Sequence, residues 1–96
     1  MATLEEFEKQ PGERQDYDIT FVEYLQSMNE DATDSHTAEV TAATGITVDS
    51  YSVLDGVVKV WVSGGTTGQK YKVTATMTTA GGRVKEADIT IKVKES

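Results

Sequence analysis

A chain of 96 residues with no cysteine, one histidine and a formal net charge of -7 has room for one domain and one core, since domains commonly run to about 100–150 residues. The missing cysteines exclude disulfides, thiolate metal sites and a cysteine nucleophile, and the lone His36 leaves too few imidazoles for the usual zinc or acid–base arrangements. The acidic balance argues against nucleic acid as a partner, because its binders cluster Lys and Arg against phosphates.

Residues 1–14, MATLEEFEKQPGER, are charged, contain the only proline, Pro11, and show little periodicity. An extended N-terminal arm is expected there, followed by a folded domain over residues 15–96. Leu4 and Phe7 stand three residues apart, the spacing of one helix face, and mark a possible docking element of the arm. The opening lacks the basic start and apolar run of a signal peptide, and no segment approaches the ~20 apolar residues of a membrane span. A soluble, unexported product without a membrane partner is expected.

From Tyr17 the alternation of Tyr17, Ile19 and Phe21 with Asp18 and Thr20 predicts a strand with one buried face. Phe21, Tyr24, Leu25 and Met28 then fall at helical spacing, which predicts a short helical turn before the polar loop from Asn29 to Ser35. Ala38, Val40 and Ala42 alternate with Glu39 and Thr41, and Gly45 separates them from Ile46 and Val48, so two modest strands are expected. Asp55-Gly56, between Tyr51–Leu54 and the run VVKVWV, is a hairpin signal because glycine accepts a positive φ at little cost.

In that run Val58, Val60 and Val62 share one face while Val57, Lys59 and Trp61 share the other, leaving Trp61 on the less buried side in need of a cover. The loop from Ser63 to Gly68 leads into a strand with Tyr71, Val73, Ala75 and Met77 inward and Lys72, Thr74 and Thr76 outward. Gly81-Gly82 turns the chain into Ala87, Ile89, Ile91 and Val93, alternating with Asp88, Thr90 and Lys92. Short strands about ten residues apart, separated by glycine turns, predict an all-β, immunoglobulin-like antiparallel β-sandwich.

Charge divides unevenly along the chain, with twelve acids against two bases in residues 1–50 and four acids against seven bases in residues 51–96. Either acidic loops complement a basic sheet face within one domain, or neighbouring copies dock head to tail. The glycine loop before Lys70 lacks the GxxxxGK[ST] spacing and opens a strand, which argues against a phosphate cradle. The acids at Glu5, Glu6 and Glu8, at Asp16 and Asp18, and in the loop with Asn29, Glu30, Asp31 and Asp34 have no calcium-loop register. His36 follows Ser35 and lies near Asp34, but sequence adjacency does not make a triad, and a strand-edge position is expected for it. No enzyme activity, cofactor or metal is expected.

The succession VVKVWVSGGTTGQKYKVTATMTTAGGRVKEADITIKVKE resembles the small immunoglobulin-like virion proteins of tailed bacteriophages that serve as tail-fibre, or fibre-tail, adaptors. Trp61, Ser63, Gly64, Gly65, Thr66, Gly68, Tyr71, Val73, Thr74, Thr78, Gly81, Gly82 and Arg83 carry the resemblance. It extends more loosely through Pro11, Tyr17, Ile19 and Phe21. It implies a structural protein of the phage tail, made in the host cytoplasm, whose copies link the tail tube or nozzle to fibres or neighbouring virion proteins. Symmetric copies of this kind need a rigid module together with segments that grip neighbours.

Leu4, Phe7, Trp61 and Arg83 are the interface candidates. Tryptophan is enriched in subunit contacts, and the fork of Arg83 suits either a carboxylate or loop carbonyl of its own domain or a neighbour's carboxylate. The rival reading is a carbohydrate- or surface-binding immunoglobulin-like module, which requires Trp61 and Tyr71 exposed on one face.

Overall fold

The computed structural model describes residues 3–95, with side chains from Glu6 onward. After a strand that the alternation did not mark, β1 (Thr3–Lys9), the period-two segments become β2 (Gln15–Thr20), β3 (Thr37–Ala42), β4 (Ile46–Leu54), β5 (Val57–Gly64), β6 (Lys70–Thr78) and β7 (Val84–Val93), with a short helix, α1 (Val22–Ser27), after β2. They form two sheets, ordered β1-β7-β6-β3 and β2-β5-β4. Neighbours run antiparallel except β1, which lies parallel to β7. This is an immunoglobulin-like Greek-key sandwich with its first strand laid against its last.

Register explains the core. In one sheet Tyr17 opposes Val60 and Ile19 opposes Val58; in the other Tyr71 opposes Ile91 and Val73 opposes Ile89. Every residue that the alternation of β6 turned inward, from Tyr71 to Met77, is buried, as are Ala87, Ile89, Ile91 and Val93 of β7. Burying one Val or Ile side chain contributes about 1.5–3 kcal/mol, so these interlocked faces dominate the stability. Phe21 and Leu25 close one end from beneath α1, where the Phe21 N–H donates to the Gly56 carbonyl of the β4–β5 turn at 2.8 Å.

The described residues of the segment 1–14 do not form the extended arm expected from its charge. Thr3–Lys9 is instead an edge strand of the larger sheet, and the Phe7 ring packs on Tyr17 with centroids 4.8 Å apart. Lys9 follows Phe7 on the inward side, and its residue is only 2% exposed. Its ammonium donates to the carbonyls of Gln10 at 2.8 Å, Gly64 at 2.6 Å and Pro11 at 3.4 Å. A cation satisfied by carbonyls thus fills a place that an apolar residue would normally occupy. That substitution hides the strand from any hydrophobic pattern. Desolvation holds the Lys9 ammonium below the usual lysine range, against an upward pull from Glu13.

Two further positions depart from expectation. Asp88 sits on the outward register of β7 yet is 1% exposed, with Oδ2 3.5 Å from the Lys72 ammonium. His36, expected at a strand edge, is buried in the loop before β3.

Candidate functional site

The two ends of the sandwich are built differently, and each is organised by side chains far apart in sequence. At the α1 end, the loop from Asn29 to His36 is bolted onto the β6–β7 turn. The Glu30 carboxylate accepts the Gly81 N–H at 2.9 Å and Arg83 Nη1 at 2.9 Å, and the Thr79 hydroxyl donates to it as well. Burial raises the Glu30 pKa, but these donors together outweigh it and hold the group below the usual glutamate range. Thr79 is itself fixed, because its Oγ1 accepts the Arg83 N–H at 3.0 Å.

Gly81 belongs to this joint for a steric reason. A Cβ there would stand 2.9 Å from Glu30 Oε1 and 3.2 Å from Arg83 Nη1, so the Glu30 and Arg83 side chains would have to shift to admit one. The Gly-Gly-Arg motif therefore encodes the joint as well as a turn. His36 adds a second bolt, with Nδ1 2.9 Å from the Ala80 nitrogen and Nε2 2.8 Å from the Asp31 carbonyl oxygen. Asp31 stays local, its Oδ1 accepting the N–H and hydroxyl of Thr33, which lower its pKa.

This bolted end also displays apolar surface. Met28 follows α1, Leu54 precedes the β4–β5 turn and Val84 opens β7, and they are 36%, 73% and 64% exposed. Nearby, the Lys85 ammonium stands 5.2 Å from the ring centroid of Tyr24.

At the opposite end the glycine loop packs around Tyr71. The Tyr71 hydroxyl accepts the Thr66 N–H at 2.9 Å. Gly65, at φ +98°, leaves no room for a side chain, since a Cβ would lie 2.6 Å from Val93 Cγ2 and 3.3 Å from the Tyr71 ring. Beside this loop a depression of about 250 Å³ is lined by Glu8, Lys9, Gln10, Glu13 and Lys94. Its lining contains no imidazole. Among the described residues, no three His, Asp or Glu side chains gather as a metal site.

Trp61 stands on the outer face of the smaller sheet, and its cover is Arg14, whose guanidinium carbon lies 4.5 Å from the ring centroid. Arg14 is oriented by Asp49, with Nε 3.0 Å from Oδ2, while Ser63 donates to the other carboxylate oxygen at 3.1 Å. Asp49 lies where the β4 register shifts between Val48 and Ser50, the bulge that lets its carboxylate serve both donors. Tyr71 is buried on the inner face of the other sheet. The shared exposed aromatic face required for glycan binding is therefore not formed.

Each interface candidate now has a place. Leu4 lies in β1, and its side chain is outside the described residues. Phe7 is half-buried against Tyr17, Trp61 is half-buried beneath Arg14, and Arg83 is exposed but paired with Glu30. Glu30, His36 and Thr79 were not singled out as interface residues by the sequence. No spacing in the sequence pointed to this joint, because its two sides, the loop and the β6–β7 turn, lie far apart along the chain.

Part of the uneven charge pairs within the chain. Lys59 meets Asp16 at 2.8 Å and Asp18 at 3.2 Å, Lys70 meets Glu6 at 3.4 Å, and Arg83 meets Glu30. The hydrogen bond from Lys59 lowers the Asp16 pKa and raises that of Lys59. Acids sit on the outer strands β1 and β2 while bases sit on the central strands β5 and β6, so acidic and basic halves become neighbours. Exposed pairs of this kind add little stability and mainly favour the native register.

A model of the podophage GP4 fiber-tail adaptor family, gp77, matches residues 9–92. The chain belongs to that family. The match runs from the last residue of β1 almost to the end of β7, so it covers β2 to β6, most of β7 and both glycine turns. Family membership makes the chain a structural adaptor of the podophage virion. No curated protein matches the chain.

Proposed function

We propose that this protein acts as an oligomeric scaffold on the phage tail, joining the tail tube or nozzle to fibres or neighbouring virion proteins, and that it performs no catalysis. The family match across the sandwich carries the reading. The arrangement of the surface supports it. Two packed sheets supply rigidity, while the α1 end offers Met28, Leu54 and Val84 around a loop and turn held together by Glu30, Arg83 and His36. Apolar side chains on a rigid platform suit a protein contact, because little side-chain or loop entropy is lost on docking.

Contacts are assigned to three regions. The edge strand β1, which carries Leu4 and Phe7, is one, and the α1 end, with Arg83 beside the exposed apolar residues, is another. Trp61 marks a third surface, where Arg14 would have to move before the ring could enter an interface. Copies of the chain are included among the partners, as a small domain on a symmetric particle gains stability from its neighbours.

Electron microscopy of the intact particle tests the proposal. Symmetric copies of the sandwich should appear between tail and fibre, with one of the assigned regions buried. Absence of such copies from that junction, or contacts confined to surfaces other than these three, would overturn the scaffold reading or the assigned contacts respectively.

A further inference from the structure

The His36 geometry determines which ring nitrogen carries the proton. Ala80 nitrogen is a backbone N–H and can only donate, so Nδ1, 2.9 Å away, is the unprotonated acceptor. Asp31 oxygen is a carbonyl and can only accept, so Nε2, 2.8 Å away, bears the hydrogen. The ring is 7% exposed and, in this geometry, holds Asp31 of its own loop through Nε2 and Ala80 of the β6–β7 turn through Nδ1.

We propose that His36 is a proton-sensitive clip at the α1 end of the sandwich. A proton taken from solvent occupies the Nδ1 lone pair, the imidazolium becomes a donor at both nitrogens, and Nδ1–H then faces the Ala80 N–H. That bond is lost, and the turn loses one of its ties to the loop. Charged groups on the two segments around the ring are Glu30, Asp31 and Asp34 on the loop and Arg83 on the turn. Glu30 is engaged by Gly81, Thr79 and Arg83, and Asp31 by Thr33. The Glu30 tie to Gly81 survives protonation of His36. Release is therefore local to Ala80, and acid loosens one end of the module without unfolding its sheets.

Solution NMR of the full chain between pH 8 and pH 5 tests this. Long-range imidazole nitrogen–proton spectra at pH 8 should show the Nε2–H tautomer. As the ring acquires its second proton, exchange at the Ala80 amide, corrected for its intrinsic pH dependence, should accelerate about tenfold. Gly81, Val73 and Ile91 amides should retain their protection. In His36→Gln the corrected Ala80 protection should no longer change with pH, and if that variant fails to fold the native titration decides alone. An Nδ1–H tautomer at pH 8, unchanged Ala80 protection while the ring titrates, or a ring that stays neutral until the whole chain unfolds would each overturn the clip. The same holds if pH-dependent exchange persists at Ala80 in His36→Gln.

Discussion

Glu30 and Arg83, 53 residues apart in sequence, meet with Arg83 Nη1 2.9 Å from Glu30 Oε2, and the same carboxylate holds the Gly81 N–H. One side chain thereby fixes a loop, a turn and a guanidinium. The pairing gives a structural reason for the arginine that follows the double glycine. It also leaves Arg83 exposed beside Val84, with its fork already oriented.

Removing this carboxylate should separate its two roles. Glu30→Gln retains an oxygen for the Gly81 N–H but loses the charge facing Arg83, whereas Glu30→Ala loses both. Thermal unfolding should therefore rank native above Gln above Ala, and amide exchange from Thr79 to Arg83 should rise in the same order. Equal melting temperatures for all three proteins would contradict the joint.

Glycine at position 65 should be far less replaceable than glycine at position 12. An alanine Cβ at Gly65 meets Val93 at 2.6 Å and occupies a positive φ, while at Gly12 nothing lies within 4 Å. Gly65→Ala should cost about 1–3 kcal/mol in denaturant unfolding. Gly12→Ala should lie within about 0.5 kcal/mol of the native chain. Similar losses at both positions would refute the packing of the loop on Tyr71 and Val93.

Acid should destabilise the fold in a defined window. Asp16, Glu30 and Asp31 are all held below their ordinary values of 3.8, 4.5 and 3.8. Their folded carboxylates bind protons less readily than their unfolded ones, so they contribute stability fully above about pH 4.5 and lose it as pH falls through their folded values. Tyr17 is raised above 10.0 by burial, with Glu13 and Asp16 adding to the effect. Its contribution is intact below pH 10 and declines as pH rises toward the folded value. Unfolding free energy measured against pH should therefore fall at both extremes, and a flat acid limb would contradict the carboxylate assignments.

Arg14 should be visible in the fluorescence of Trp61, since the chain has one tryptophan and the guanidinium covers its ring. Arg14→Ala should shift the emission to longer wavelength and reduce stability by about 0.5–1 kcal/mol. Asp49→Asn should give a smaller spectral shift because it removes only the charge that orients Arg14. An emission maximum unaffected by Arg14→Ala would place the cover elsewhere.

Most of the sandwich was legible in the order of residues, because a sheet with one buried face imposes a period of two on neighbouring positions. Tyr71 to Met77 and Ala87 to Val93 follow that rule, the Asp55-Gly56 hairpin stands where its turn residues place it, and α1 follows helical spacing. β1 was hidden because its inward sequence passes from Phe7 to Lys9, and a buried ammonium held by three carbonyls has no hydrophobic signature. The buried place of His36 was equally unreadable, since its partners, Asp31 and Ala80, supply backbone atoms that every sequence contains.

Local order thus determined which segments extend, where they turn and which side faces inward, all of which depend on neighbours in the chain. Only the tertiary structure decided that β1 lies beside β7, that Arg14 covers Trp61, and that Glu30 engages Arg83. Those contacts depend on the distance and direction between groups that the chain separates, and no spacing along it records them.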